Sequence, residues 1–416
     1  MGFYIGNLTS DWLPNYITAE TLSRHTIYGV AFDGLTHTGV RLYDAEGKNW
    51  SPSSTSIIGA DHFRDLKPFK FKRCLMKPST DGSKCTINSY YDDLGLTPSA
   101  YNQKAVDEGL DRFIEYDVYY YSRPNPWTWL ISPDYIDGFY PCPACDRGGN
   151  ILSKWYMGEY APNDSYRILN GQYPKVNITN ADARSALRAK GYRLSDYANY
   201  QSVIMLALIK YADLNFQNCL GMGWYSGDSR QVSSGDGILG DDGYNGSAKD
   251  SNASIKVMGI TDLYGNVWKN CDATFAYGGY LYTNDDLDNI TEWPTMSTWE
   301  AMGYKKSNVA IGLGPGKQIG GGTTTPYITN IAYDSQYPYM VYPTAFAGSK
   351  ASPSGYDINP IGDGVWYNND NTMRCVLLGG GSWNGSLGGA FCWASGYDLL
   401  VTDVDYGCLA SAFPDV

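Results

Sequence analysis

Short runs in which apolar and polar residues mix, broken by Gly-containing turns, fill most of the first 130 residues. "HTIYGVAFDG" and "TGVRLYDAEG" are rich in Val, Tyr and Thr and are punctuated by Asp-Gly and Glu-Gly, which predicts two strands. A third such run, "FIEYDVYYYS", spans Phe113 to Ser122, and polar stretches lie at Pro52–Ser56 and Pro78–Lys84. The pattern changes near residue 179. Thr179 precedes "NADARSALRAKG" with Asp182 three residues on, a capping-box spacing, and Gly191 supplies the stop. Ser195 is then expected to cap "DYANYQSVIMLALIKYADL". There Val203, Ile204, Leu206, Ala207, Leu208 and Ile209 predict a helix apolar nearly all round, and therefore buried. Two neighbouring helices in a chain of short strands predict an α+β fold with many short antiparallel strands. No internal repeat is visible. Residues 1–75 read as a small β-rich N-terminal part, suited to attachment or oligomerisation, and residues 76–416 as the main domain.

Composition narrows the function. The chain has 416 residues, enough for a sizeable core, and charged residues make up 18%, below the usual quarter. The net charge of −12 argues against nucleic acid as partner. Tyr at 37 and Gly at 47 resemble the makeup of binding loops, where Tyr gives contact area at low entropy cost; a turn-rich β protein gives the same composition. No apolar run reaches the roughly 18 residues a membrane span needs, so no membrane insertion is expected. "MGFYIGNLTSDW" has neither a basic nor an apolar signal region and no myristoylation pattern.

The chemistry-bearing residues are few. Nine scattered cysteines suggest reduced thiols. Cys142-Pro-Ala-Cys145 is a lone C-x-x-C without a second pair for zinc, and reads as small residues at a loop rim. The Gly-, Asp-, Ser- and Asn-rich run Ser233–Ser254 suits calcium by its carboxylates and carbonyls, but lacks the EF-hand spacing and reads as a surface loop. Ile319–Pro326 is another loop. No metal and no cofactor is expected. Histidine occurs only three times, at His25, His37 and His62, and no G-x-S-x-G elbow exists, which argues against a Ser-His-Asp site.

Three short motifs stand in order: Gly265-Asn266-Val267-Trp268, Gly380-Gly381-Ser382-Trp383 and Gly407-Cys408-Leu409. Together with "LISPDYIDGFYPCPACDRGG", "KVNITNADARSALRAKGYRLSDYANYQSVIMLALIKYADLNFQN" and "FDGLTHTGVRLYDAEG", they resemble the formylglycine-generating-enzyme branch of the C-type lectin fold. Within it they resemble the variable proteins of diversity-generating retroelements and phage tail receptor-binding proteins. The resemblance implies a C-type lectin-like domain. Trp268 and Trp383 are expected, by their large apolar area, to fill its core. Members of this fold often bind calcium.

Oxidases of this branch use two cysteines shortly after the Gly-Gly-Ser element. Here "GGSWNGSLGGAFCW" holds Cys392 alone, with no base or cation nearby in sequence to make it a thiolate. The resemblance therefore points away from catalysis, and an oxidase with a displaced active site is the alternative. Asp398, Asp403 and Asp405 are candidates for an acid/base pair, or else turn and rim residues. In the resembling variable proteins the segment matching Leu377–Phe413 is diversified and faces outward. Carried over residue by residue, this gives Asn384, Ser386, Leu387, Cys392, Trp393, Ala394, Gly396, Tyr397, Asp398, Leu400, Val401, Asp403 and Asp405 as ligand contacts, with Trp393 and Tyr397 as aromatic anchors. A core strand at Leu399–Val401 is the competing reading. The implied partner is a bacterial surface receptor, protein or glycan, with other tail proteins and a homotrimer as assembly expectations. The implied location is a virion tail; a prophage-derived protein on the bacterial surface is the other.

Overall fold

The computed structural model describes residues 28–32, 40–41, 55–58, 61–66, 68–78, 84–88, 113–117, 127–133, 139–211, 213–225, 243–244, 253–287, 289–308, 310–311, 318–319, 327–333, 341–347, 361, 363–368 and 370–413. The expected loops Ser233–Ser254 and Ile319–Pro326 lie almost wholly outside them. The described chain is a mixed α/β protein with few helices and many short strands.

The amino-terminal third contributes β1 (Tyr28–Phe32), β2 (Asp61–Leu66), β3 (Lys70–Pro78) and β4 (Trp127–Ser132). β1 and β3 flank β4 in a seven-stranded sheet, antiparallel throughout its named pairs. β5 (Trp155–Gly158) lies between β2 and the last strand of the chain in a separate five-stranded sheet. Residue 75 lies inside β3. β2, from the expected N-terminal part, pairs with β5, and Asp61 accepts hydrogen bonds from the Tyr192 hydroxyl and the Ile168 N–H at 2.7 Å each. Glu159 ties the same strand inward, accepting from Arg64 at 3.2 Å and from Lys256 at 3.0 Å.

Helix α1 (Asn180–Arg188) starts as expected. Oγ1 of Thr179 accepts from the Asp182 N–H at 3.1 Å, and Gly191 leaves the helix in the left-handed region at φ +82°. α2 (Tyr197–Tyr211) is buried from Tyr197 to Ile209, as its apolar sequence requires. Its cap is not Ser195. Oδ1 of Asp196 accepts from the Asn199 N–H at 2.8 Å, whereas the Ser195 hydroxyl is buried without a hydrogen-bond partner. A carboxylate one residue nearer the first turn outcompetes the hydroxyl, and it also pairs with Arg147.

The second large sheet positions the site. Its spine is β6 (Trp268–Tyr277), which begins at the Gly-Asn-Val-Trp motif. β7 (Tyr280–Thr283) flanks it as a hairpin. Beyond β6 come β9 (Arg374–Leu378), β10 (Trp393–Ser395) and β8 (Val365–Asn368), in that spatial order. β11 (Tyr406–Cys408) runs parallel to the start of β6, and β12 (Ala410–Ala412) crosses to β5 in the other sheet. The register of β6 against β9 shifts between Asn270 and Phe275. In that irregular stretch Asp272 accepts from the Arg184 Nε at 2.8 Å, which fastens α1 to the sheet.

Candidate functional site: an aromatic and acidic pocket over a buried strand

The stretch from Leu377 onward divides into a buried part and an exposed part. β10 pairs antiparallel with β9 (Leu378 opposite Trp393) and parallel with β8 (Val365 opposite Trp393), so it is an interior strand. Side chains alternate across it. Trp393 packs into the main core, its ring 5.9 Å from that of Tyr197 on α2, and its indole N–H donates to Ser395 at 2.9 Å. Cys392 and Ala394 point the other way, into a small cluster with Trp268, Leu377 and Tyr406.

Three expected contact residues, Cys392, Trp393 and Ala394, are therefore corrected to core positions. All are at most 1% exposed. Both faces of their strand are covered, and three residues are too few to display a period in the sequence. Burial, with the nearby Asp363 carboxylate, drives the Cys392 thiol well above its ordinary pKa, which opposes thiolate chemistry there. Cys142 and Cys145 are likewise buried rather than at a rim, and Cys142 donates to the Ser202 hydroxyl at 3.4 Å. Among the described residues no group of three or more His, Cys, Asp or Glu side chains is placed to hold a metal.

The exposed part forms a rim around a cavity of about 270 Å³. Trp268 and Trp366 form one wall, their rings 5.4 Å apart and nearly perpendicular at 87°. Tyr397 and Tyr406 form another, at 5.4 Å and 61°. Trp383 and Asn384 come in from the turn after β9, and Asp403 and Asp405 from the segment before β11. Trp383, expected in the core, is instead 63% exposed. The glycine run Gly379–Gly381, with φ of +83° and +74° at its first two residues, turns the chain outward before the indole is reached.

The rim is held by hydrogen bonds from backbone N–H groups. The Asn384 Oδ1 accepts from the Gly381 N–H at 2.6 Å. The Cys375 N–H donates to the Tyr397 carbonyl at 3.0 Å, the Trp268 N–H to the Asp405 carbonyl at 2.7 Å and the Asn177 N–H to the Asp403 carbonyl at 2.9 Å. Arg374 bridges Asp370 and Asp398 at 2.5 Å each, taking Asp398 away from the other two aspartates.

Of the expected contacts, Asn384, Tyr397, Asp403 and Asp405 line the cavity. Leu400 is 71% exposed and Val401 half-buried in a turn, so Leu399–Val401 is not a core strand. Gly396 and Leu387 are half-buried beside the site, and Ser386 lies in the short 3-10 turn Gly385–Leu387. Among the described residues, Trp383, Tyr397, Leu400 and Val404 are four of six large apolar side chains that stand exposed, and all fall within this segment. Trp268, Trp366, Trp383 and Tyr406 were not legible as site residues. Trp366 joins only through the parallel pairing of β8 with β10, which leaves no local signal.

The two remaining carboxyls meet in the pocket. Asp405 is pushed up to about 7, first by burial and then by the charge of Asp403, with which its side chain shares a hydrogen bond. Among the described residues, no cation is a named cause of that shift.

No family model matches the chain, and no curated protein matches it. The likeness to solved structures is faint. The Major Tropism Determinant I1 Variant shares 9% identity at a TM-score of 0.27, over 62% of this chain and 50% of that one. The P3c Variant shares 11% at 0.28 over the same fractions. The U1 Variant shares 10% at 0.28, over 94% of this chain and 72% of that one. The chain thus spans about half the length of the first two. Likeness at this level says nothing about a ligand.

Proposed function

We propose that this protein is a non-enzymatic ligand-binding protein of the C-type lectin-like, formylglycine-generating-enzyme-like class, and that the pocket at Trp383 is its recognition site. The observation that carries the reading is the contrast within one segment. Cys392–Ala394 is locked in the core, while Trp383 and Tyr397 project around a preformed cavity whose backbone is pinned at four points. A rigid base with exposed aromatic anchors binds without paying to order its own loops. The ordered motifs that resemble retroelement variable proteins and phage tail receptor-binding proteins supply the setting: attachment to a bacterial surface.

The test is adsorption of the full chain to a panel of bacterial surfaces, compared with the Trp383→Ala, Tyr397→Ala double variant. Loss of adsorption in the variant, with an unchanged melting profile, is the expected result. Equal adsorption of variant and wild type sinks the reading. Flanking genes separate a tail protein from a bacterial surface protein: tail genes upstream mark the first, and a reverse transcriptase with a near-copy of the Leu377–Phe413 codons marks diversification.

A further inference from the structure

Resting on the recognition site just described, we propose that its ligand is a compact ammonium head group, carried on a larger surface molecule and held between the aromatic walls and the Asp403–Asp405 pair. Three observations lead there. First, the walls present three tryptophans and two tyrosines, whose ring faces are electron-rich and attract cations. Second, two carboxyls stand side by side among them, and none of the lining residues carries positive charge. Cations nearby are engaged elsewhere: Arg374 with Asp370 and Asp398, Lys175 with Asp164 at 3.5 Å. Third, the cavity of about 270 Å³ is smaller than the roughly 300–1,000 Å³ that encloses a drug-sized ligand, so it suits a head group and not a long chain.

A neutral sugar fits the same rings less well. It would cover two carboxyls without supplying the opposite charge, and burying uncompensated charge is costly. An ammonium group supplies that charge and uses the ring faces as well. Either a choline-like substituent or a lysine side chain carries it.

The experiment is titration of the full chain at pH 8 and low salt, read by tryptophan fluorescence and calorimetry. The probes are choline, its uncharged isostere 3,3-dimethyl-1-butanol, Nα-acetyl-lysine methylamide and N-acetylglucosamine. Saturable binding of choline or of the lysine derivative, at least tenfold tighter than the isostere, is expected; whichever wins identifies the source. Asp403→Asn, at an exposed position, should weaken the ammonium probe at least fivefold and leave the isostere unchanged. Trp383→Ala should weaken both. The isostere matching choline, or no saturable binding of either ammonium probe, overturns the inference. Sugar binding lost in Trp383→Ala, with no ammonium binding, overturns it while leaving the recognition site in place. Only indifference of bacterial adsorption to the Trp383 and Tyr397 changes would remove the site itself.

Discussion

A methyl group added to Gly381 would stand 2.9 Å from Oδ2 of Asp405 and 2.9 Å from Cδ1 of Trp268. The end of the glycine run thus carries no side chain because two pocket-lining residues occupy the space one would need. Gly381→Ala should cost about 1–3 kcal/mol, the usual penalty of overpacking, and should displace Asp405 or Trp268. Gly396→Ala is the control, since nothing lies within 4 Å of a Cβ there. Urea denaturation of both, with adsorption to bacteria as second readout, checks this. Adsorption should fall for Gly381→Ala alone.

Two tryptophans ten residues apart should behave as opposites. Trp393 is 1% exposed, so Trp393→Ala should destabilise by about 3–5 kcal/mol. Trp383 is 63% exposed, so Trp383→Ala should fall within about 0.5 kcal/mol of wild type. Adsorption should show the reverse order among folded proteins. Equal stability losses would mean that the turn after β9 is packed inward.

The start of α2 separates two neighbouring residues in the same way. Asp196 caps the helix and forms a buried pair with Arg147, so Asp196→Ala leaves an uncompensated guanidinium and should cost about 3 kcal/mol or more. Ser195→Ala removes a buried hydroxyl that has no partner and should be neutral or slightly stabilising. Chemical denaturation of the two variants decides the matter.

How far the sequence reaches follows from the range of the forces involved. The Thr179–Asp182 cap, the Gly191 stop and the buried α2 are local, written in spacing and composition, and they were legible. Trp268, expected in the core, is there, at 6% exposure. Trp383 failed because its motif was read for size, and size favours burial; three preceding glycines decide direction instead. Cys392–Ala394 failed because burial of that strand comes from partners elsewhere in the chain: β8, β9 and α2. Asp398, Asp403 and Asp405 were legible as candidate carboxylates, but which two meet was not, because the aromatic residues around Asp403 and Asp405 come mostly from four other segments.

The carboxyl pair gives the last prediction its sign. An ordinary Asp titrates near 4, whereas Asp405 in the folded chain sits at about 7. The folded state therefore keeps a proton that the unfolded chain has already released. The stabilisation from that proton is complete below about pH 4 and is lost as pH rises through 7. Above pH 7 the folded protein carries a buried charge beside Asp403. Asp405→Asn removes this cost and stays neutral throughout. Solvent reaches the open pocket and screens much of the penalty, so the variant should exceed wild type by about 1–2 kcal/mol at pH 8 and match it at pH 4. Urea denaturation at the two pH values measures the difference. Ligand binding should move the opposite way. Deprotonation of Asp405 adds a negative charge to the pocket, so the affinity of an ammonium probe for wild type should climb between pH 6 and pH 8. The climb should vanish in Asp405→Asn. A variant that gains stability at pH 8 while losing that dependence shows a carboxylate kept at a cost to the fold because the ligand needs it.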